Sequence, residues 1–213
     1  DLVSVKSCAY DQEQSVVDAI LAPGVRVNFA GLTRHFLTSS SCGLCGKAAI
    51  ESVRRQFNPV QSSVRIVPEV LTALPEAMRE AQAAFEKTGG LHAAALFDPA
   101  GRLIALREDV GRHNAVDKLI GHGLLHGLFP LDHHLLLVSG RDSFEIMQKA
   151  LAARIPVVAA VSAPSSLAVQ FAEESGQTLV GFLRDRRMNV YAHPDRIAFG
   201  DDGGDAPDAV PAP

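Results

Sequence analysis

The sequence predicts an α/β fold with a mixed, partly parallel sheet, and its last third carries the observations behind that prediction. Short, wholly apolar runs at residues 135–138, 157–161 and 179–183 are typical of strands that are buried on both faces. Apolar residues at helical spacing fill the two intervals between them, at 143–154 and 167–176. Strands that alternate with helices pair in parallel through right-handed crossovers.

The residues ahead of these strands predict an antiparallel part of the sheet. Runs at 91–97 and 102–107 flank the turn sequence Asp98-Pro99-Ala100-Gly101, which predicts a β-hairpin. Apolar residues spaced as in a helix run from Leu71 to Phe85, and a second helix begins near Arg112.

The first 38 residues predict a small, partial α+β lobe. Its predicted elements are a strand at 2–8, a helix at 15–21 and a strand at 25–29. Because the chain begins at Asp1 rather than Met, we expect the lobe to lack its original start.

Residues 39–200 then form the main predicted domain, and residues 201–213 are predicted to be a disordered acidic tail. The 213 residues carry a formal charge of −4, but without the four aspartates of the tail the acidic and basic residues both number 20. A neutral domain does not favour nonspecific binding to nucleic acid. No stretch reaches the roughly 18 apolar residues of a membrane-spanning helix.

The sequence Cys42-Gly43-Leu44-Cys45 is the first candidate for chemistry. A single CxxC is compatible with half of a zinc site, a redox disulfide, or a nucleophile that forms a persulfide beside a second thiol. Two small buried residues in a turn are the structural alternative. A zinc site would need further ligands from His35, His92 or His113.

The residues around the two cysteines favour the nucleophile. Serines precede Cys42 and a helix-forming segment follows Cys45, so the thiols are predicted at the start of a helix. A helix N-terminus stabilises a thiolate and lowers the pKa of the thiol. Cys8 lies in a strand-like run and is predicted to be a core residue.

Two further segments carry imidazoles. His92 begins the first strand of the predicted hairpin, where it is either a hydrogen-bonded core residue or a proton-transfer group facing the thiols. The segment from Glu108 to Asn114 is dense in polar groups, including Arg112 and His113, and is predicted to belong to a site. Asp117, four residues after His113, is placed to pair with it.

Polar residues follow each predicted parallel strand and should therefore gather at one edge of the sheet. They are Ser139 and Arg141 after the first strand, Ser162 after the second, and Arg184, Asp185, Arg186 and Arg187 after the third. Three arginines are often only solvated surface, but with the serines and Arg141 they predict a pocket for phosphate groups. Neither GxxxxGK[ST] nor GxGxxG occurs.

Six stretches give the chain a close resemblance to the FdhD family of formate dehydrogenase accessory sulfurtransferases. They are SSCGLCGKAAIE, TGGLHAAALFD, REDVGRHNAVDKLIG, VSGRDSFEIMQKA, PVVAAVSAPSSLAV and TLVGFLRDRRMNVYAHPDRI. The resemblance covers most of residues 40–197 and implies a cytidine-deaminase-like, three-layer α/β fold for residues 39–200, used as a homodimer. This chain lacks the HxE pair of the zinc deaminases, because His92 is followed by two alanines.

The resemblance implies a cytoplasmic sulfur carrier that is also a sulfurtransferase. Such a protein accepts sulfur from a cysteine desulfurase and passes it to the molybdenum cofactor, Mo-bis(molybdopterin guanine dinucleotide), before that cofactor enters formate dehydrogenase. Neither a tightly bound metal, a nucleic acid nor a membrane is implied as a partner.

The resemblance also implies the site residues. Cys42 corresponds to the persulfide intermediate and Cys45 to its companion thiol, while Phe182, Leu183 and Arg184 to Arg187 correspond to the cofactor-binding segment. We add His92, Arg112, His113, Ser139, Arg141 and Ser162 as candidate cofactor contacts. The alternative function is a chaperone that binds the cofactor through its guanine nucleotides without transferring sulfur.

Overall fold

The computed structural model describes residues 2–7, 17–27 and 57–199, and the chain divides into two compact units, residues 1–43 and 44–213. Cys8, Cys42, Cys45 and the predicted tail lie outside the described residues. The domain boundaries predicted after residues 38 and 200 stay predictions. Within the described ranges, no helix has both the length and the apolar character needed to cross a lipid bilayer.

The first unit contains an antiparallel pair of strands, β1 (Leu2–Ser7) and β2 (Val17–Leu21), with Lys6 opposite Asp18. The predicted helix at 15–21 is therefore wrong over residues 17–21. Val17 and Ile20 are β-branched, and such residues favour a strand. Pairing with β1 also gives the backbone N–H and C=O groups of this segment the hydrogen bonds that a helix would have formed within itself. Of the strand predicted at 25–29, residues 25–27 belong to no strand, and the other two lie outside the described residues.

A six-stranded mixed sheet forms the centre of the second unit. In chain order its strands are β3 (His92–Phe97), β4 (Leu103–Asp109), β5 (Leu135–Val138), β6 (Val157–Ala160), β7 (Thr178–Arg184) and β8 (Arg187–Ala192). Their order across the sheet is β4-β3-β5-β6-β7-β8. The predicted parallel pairing of β5, β6 and β7 is confirmed, as is the antiparallel β3–β4 hairpin.

Helices cover both faces of this sheet. They are α1 (Pro68–Ala81), α2 (Ala83–Thr88), α3 (Arg112–Leu125), α4 (Phe144–Ala152) and α5 (Ser166–Ser175). Alternate residues of a strand face opposite sides, so each apolar strand supplies two cores. Leu136 and Val138 pack with α3, α4 and α5, whereas Leu135 and Leu137 pack with α1. The predicted three-layer α/β fold is thereby confirmed.

The single helix predicted across residues 71–85 is divided into α1 and α2 at Gln82, whose backbone has φ −80° and ψ 67°. The break is stabilised from strand β4. The carboxylate of Glu108 accepts hydrogen bonds from the backbone N–H groups of Ala84 at 2.9 Å and Phe85 at 2.8 Å. These N–H groups at the start of α2 would otherwise lack partners, since a helix cannot satisfy its own first N–H groups.

The α1 layer gives a direct test of this architecture. Leu74 is 1% exposed and packs in the core between α1 and the sheet. Leu74→Ala should lower the free energy of unfolding by about 2–5 kcal/mol, because it removes buried apolar surface and leaves a cavity. Urea denaturation of the purified chain measures this loss.

The matched control is Leu125→Ala at the end of α3, where the side chain is 61% exposed. It should change the free energy of unfolding by less than about 0.5 kcal/mol. Equal losses for the two variants would contradict the packing of α1 on the sheet.

Candidate functional site

The loops that follow β5 and β6 lie beside the carboxyl half of β7 at one edge of the sheet, because backbone contacts join each of these segments to the next. The N–H of Ser162 donates to the carbonyl of Gly140 at 3.3 Å, and the N–H of Phe182 donates to the carbonyl of Ser162 at 3.1 Å. An isolated parallel bridge joins Asp142 to Pro164. The parallel strands thus bring to one edge the loops on which the site was predicted.

His92 and Ser139 are neighbours at this edge, because β3 runs antiparallel to β5. The N–H of Ser139 donates to the carbonyl of Ala93 at 3.0 Å, and the N–H of Ala93 donates to Ser139 Oγ at 2.9 Å. The His92 ring lies directly over Gly140, since a Cβ added there would be 3.2 Å from His92 Nδ1. Glycine at this position therefore makes room for the imidazole.

Arg112 and His113 reach the same edge from the start of α3. Arg112 Cδ lies 3.9 Å from the position of a Cβ on Gly140, and its Nε is buried without a hydrogen-bond partner within the described part of the chain. His113 Nε2 is 3.0 Å from Ser143 Oγ. Burial and the nearby charge of Arg112 lower the pKa of His113, which favours a neutral imidazole.

The two carboxylates of the same polar segment have structural roles. Glu108 caps α2, and Asp109 Oδ1 accepts from the N–H of Gly111 at 2.8 Å. Asp109 Oδ2 lies 2.5 Å from Lys118 Nζ. Lys118 and the Gly111 N–H together hold the pKa of Asp109 down at about 2. The density of charge in this segment thus comes partly from helix capping rather than from a site.

The predicted pairing of His113 with Asp117 is not formed. Asp117 Oδ1 is instead 2.5 Å from Lys149 Nζ on α4, while His113 bonds to Ser143. Both residues of the helical pair take partners from the neighbouring helix and its cap, which local spacing does not reveal.

A cavity of about 450 Å³ lies at the β7–β8 hairpin. Its lining residues are Phe182, Arg184, Asp185, Arg187 and Asn189. The backbone here is strained, with φ values of +50° at Phe182, +52° at Asp185 and +57° at Arg186. The Arg184 guanidinium lies 5.8 Å from the centre of the Phe182 ring. Positive φ at both Asp185 and Arg186 is the geometry of the two-residue turns that join the strands of tight hairpins.

Six predicted contact residues line neither the hairpin cavity nor the groove between α1 and the sheet edge: Arg112, His113, Arg141, Ser162, Leu183 and Arg186. Leu183 is fully buried in the core on the α1 face, so its side chain is a packing residue. Arg141 is exposed after β5, and Arg186 is exposed in the hairpin turn. The predicted residues that do line a cavity are His92 and Ser139 in the groove, and Phe182, Arg184, Asp185 and Arg187 at the hairpin.

The groove on the α1 side of the edge has a volume of about 530 Å³. His92, Ser139 and Val161 line it from the sheet, and helices α1 and α2 with the loop after them form the opposite wall. Gln82, at the helix break, also lines it. Sequence reasoning missed Gln82, because the position falls within a helical apolar pattern that gives no sign of a break.

Sequence reasoning also missed Asp142, which is 1% exposed and directly precedes the α4 cap residue Ser143. Neither carboxylate oxygen of Asp142 forms a hydrogen bond with the described residues. The nearby N–H of Ser143 lowers the pKa of this carboxyl group, but by less than burial raises it. Burial raises the pKa of Asp142 to about 8. Its backbone carbonyl meanwhile accepts from the N–H of Ser165 at 3.0 Å, which ties two loops of the edge together. A carboxylate in the short loop between an apolar strand and a helix was the available signal.

No group of three or more His, Cys, Asp or Glu side chains able to hold a metal ion occurs within residues 2–7, 17–27 and 57–199. Cys42 and Cys45 lie outside these ranges, so their roles stay predictions.

The mixed six-stranded sheet, covered by helices on both faces and with a candidate site at the carboxyl ends of its parallel strands, defines a three-layer α/β protein. The model of the FdhD/NarQ family matches residues 2–198, and the chain belongs to this family. Sulfur carrier protein FdhD from Streptomyces coelicolor is 57% identical over 188 residues, which cover 87% of this chain and 67% of that protein. The protein of the same name from Mycobacterium tuberculosis is 54% identical over 185 residues, covering 86% and 67%.

A solved structure supports the same placement. The crystal structure of a protein described as a formate dehydrogenase accessory protein, from Desulfotalea psychrophila, matches with a TM-score of 0.62 and 30% identity. The match covers 69% of this chain and 62% of that chain. This chain thus spans about two thirds of the length of the relatives it matches.

The protonation of Asp142 predicts a pH dependence of stability. Its pKa is about 8 in the folded chain against an ordinary 3.8, so between these values the folded state binds one proton more than the unfolded state. Stability should therefore fall as the pH rises toward about 8. Asp142→Asn should lose this slope and raise Tm at pH 8 by at least about 2 °C.

Thermal unfolding of the two proteins from pH 5 to 9 measures the difference. Asp195→Asn, at an exposed aspartate, is the control and should keep the wild-type slope. A slope that persists unchanged in Asp142→Asn would show that Asp142 is not the titrating group.

Proposed function

We propose that the chain is a sulfur carrier for formate dehydrogenase, which takes sulfur as a persulfide on Cys42 and delivers it to Mo-bis(molybdopterin guanine dinucleotide). Its relatives bear the name sulfur carrier protein FdhD, and the CxxC sequence supplies a nucleophile of the required type. The observation that carries the cofactor part is the pair Arg184 and Arg187 at a cavity on the carboxyl edge of the sheet.

The first step is a thiol exchange at Cys42. Its thiolate attacks the outer sulfur of a persulfide on a cysteine desulfurase, and a new sulfur–sulfur bond forms as the bond within the donor breaks. The donor cysteine leaves as a thiolate and Cys42 becomes the persulfide. No net oxidation or reduction occurs in this exchange.

The second step needs two electrons, because the outer sulfur of a persulfide must be reduced to leave as sulfide. Cys45 can supply them. Its thiolate attacks the inner sulfur of the Cys42 persulfide, which forms a Cys42–Cys45 disulfide and releases sulfide for the molybdenum centre. A cellular dithiol then restores both thiols.

The β7–β8 hairpin would hold the phosphate groups of the cofactor. Arg184 and Arg187 line its cavity, and neither forms a salt bridge with the described residues. A guanidinium without a carboxylate partner is free to make charge-assisted hydrogen bonds to phosphate. Phe182, which lines the same cavity, offers an aromatic face to a ring of the ligand.

The cytoplasm is the proposed location and a homodimer the proposed assembly. A cofactor chaperone without sulfur transfer is the competing function, and loss of Cys42 separates the two. Such a chaperone would support formate dehydrogenase equally well with or without this thiol.

The persulfide is tested by intact mass spectrometry after incubation with a cysteine desulfurase and cysteine. The wild-type chain should gain the mass of one or more sulfur atoms, and Cys42→Ala should gain none, because it lacks the attacking thiolate. Cys8→Ala is the matched control and should gain sulfur as the wild type does. Equal sulfur on wild type and Cys42→Ala would remove Cys42 from the mechanism.

The phosphate contacts are tested by equilibrium dialysis with guanosine diphosphate. The double variant Arg184→Ala, Arg187→Ala should bind at least about tenfold more weakly and show a smaller loss of affinity with added salt. The control Arg102→Ala removes an exposed arginine that pairs with Asp98, and it should bind as the wild type does. Unchanged binding by the double variant would place the phosphates elsewhere.

A further inference from the structure

Asp142 is a buried acidic residue that the proposed sulfur transfer does not use. It is 1% exposed, and neither oxygen of its carboxyl group has a hydrogen-bond partner among the described residues. An unpaired charge in a protein interior costs far more free energy than an unpaired neutral group. The fold around Asp142 therefore fits the protonated carboxyl group and not the carboxylate.

The side chains around Asp142 supply no counter-charge. The ionisable groups that flank its loop are those of Arg141, Glu145, Arg112 and His113. None of these four changes the pKa of Asp142, which burial raises to about 8 and only the N–H of Ser143 opposes. Burial and Arg112 lower the pKa of His113, so this imidazole is neutral above pH 7. Residues 162–165, on the loop that packs against Asp142, include no ionisable side chain.

A short series of contacts connects Asp142 to the cavity at the β7–β8 hairpin. Asp142 forms a parallel bridge with Pro164. Pro164 packs closely against β7, because a Cβ added at Gly181 would lie 2.7 Å from Pro164 Cδ. The next residue, Phe182, donates its N–H to the carbonyl of Ser162 at 3.1 Å and lines the cavity. A displacement of the Asp142 loop is thus transmitted to the wall of this cavity.

We propose that Asp142 is a pH-sensitive switch, whose protonated form lets the loops after β5 and β6 pack against β7 and whose ionised form separates them and weakens the ligand site at the hairpin. The driving force is hydration. A carboxylate that forms no hydrogen bond within the fold regains water when its loop moves outward. The effect on the ligand rests on the proposed function, which assigns phosphate groups to Arg184 and Arg187.

Hydrogen exchange measured by mass spectrometry tests the separation of the loops without a ligand. At pH 9 the backbone of residues 162–165 and 181–184 should exchange at least about fivefold faster in the wild-type chain than in Asp142→Asn. At pH 6.5 the two proteins should exchange alike. Comparison at equal pH removes the effect of pH on the chemistry of exchange. Asp142→Ser is a second uncharged variant, and Asp195→Asn, at an exposed aspartate, is the control that should behave as the wild type.

Equilibrium dialysis with guanosine diphosphate measures the effect on the hairpin. With a pKa of about 8, Asp142 is protonated in most wild-type molecules at pH 7 and in a small minority at pH 9. The affinity of the wild type, relative to that of Asp142→Asn at the same pH, should therefore fall about tenfold between pH 7 and pH 9. Ionisation of the nucleotide affects both proteins equally and does not enter this ratio.

Equal exchange in the wild type and Asp142→Asn at pH 9 would overturn the switch, as would a fall in affinity that Asp142→Asn shares. Faster exchange with no loss of affinity would contradict the coupling between the loops and the hairpin. Guanosine diphosphate that fails to bind the wild type at pH 7 would instead overturn the phosphate assignment of the proposed function. The exchange measurement decides in that case whether Asp142 separates the loops.

Discussion

Backbone contacts that continue beyond the ends of β5, β6 and β7 hold the candidate site together. The Ser162 N–H and carbonyl link the loop after β6 to Gly140 on one side and to Phe182 on the other. The space for this arrangement is narrow, because a Cβ at Gly181 would lie 2.7 Å from Pro164 Cδ. The parallel pairing of three short apolar strands is thus the constraint on which the positions of the candidate residues at this edge depend.

The edge carries two surfaces that differ in their polar groups. The β7–β8 hairpin presents Arg184 and Arg187, whose charges are unpaired within the described residues, on strained backbone. The groove beside α1 presents an amide and an imidazole, and its arginine is already paired with Glu86. Asp142, buried and favoured in its neutral form, lies on the loop after β5 and helps to join the loops of the edge.

The sequence was most informative where burial alone decides the structure. Leu135 to Val138 must be a strand covered on both faces, and its neighbours follow from the same reasoning. The sequence was misleading where a distant group competes with local preference. Glu108, on strand β4, caps α2 and so breaks the single helix that the apolar spacing predicted. Asp117, which the spacing paired with His113, pairs with Lys149 instead. Strand pairing likewise overrode the helix predicted across Val17 to Leu21.

The same distinction applies to the site. Strand ends predicted the edge, because parallel topology fixes where the loops gather. Asp142 escaped prediction because its significance lies in missing hydrogen bonds, and Gln82 because it lies at a helix break, and only three-dimensional packing reveals either feature. Leu183, by contrast, lies within the predicted cofactor segment but points into the core on the same face as Val180, because β7 is irregular between Gly181 and Arg184.

Following a labelled sulfur atom tests the proposed transfer most directly. The chain is loaded from radiolabelled cysteine by a cysteine desulfurase, freed of small molecules, and mixed with the molybdenum cofactor and a dithiol. We predict that the label leaves the protein and elutes with the cofactor, and that the sulfurated cofactor then activates formate dehydrogenase. Label that stays on the protein, or formate dehydrogenase that is activated equally by unloaded Cys42→Ala, would contradict sulfur transfer by this chain.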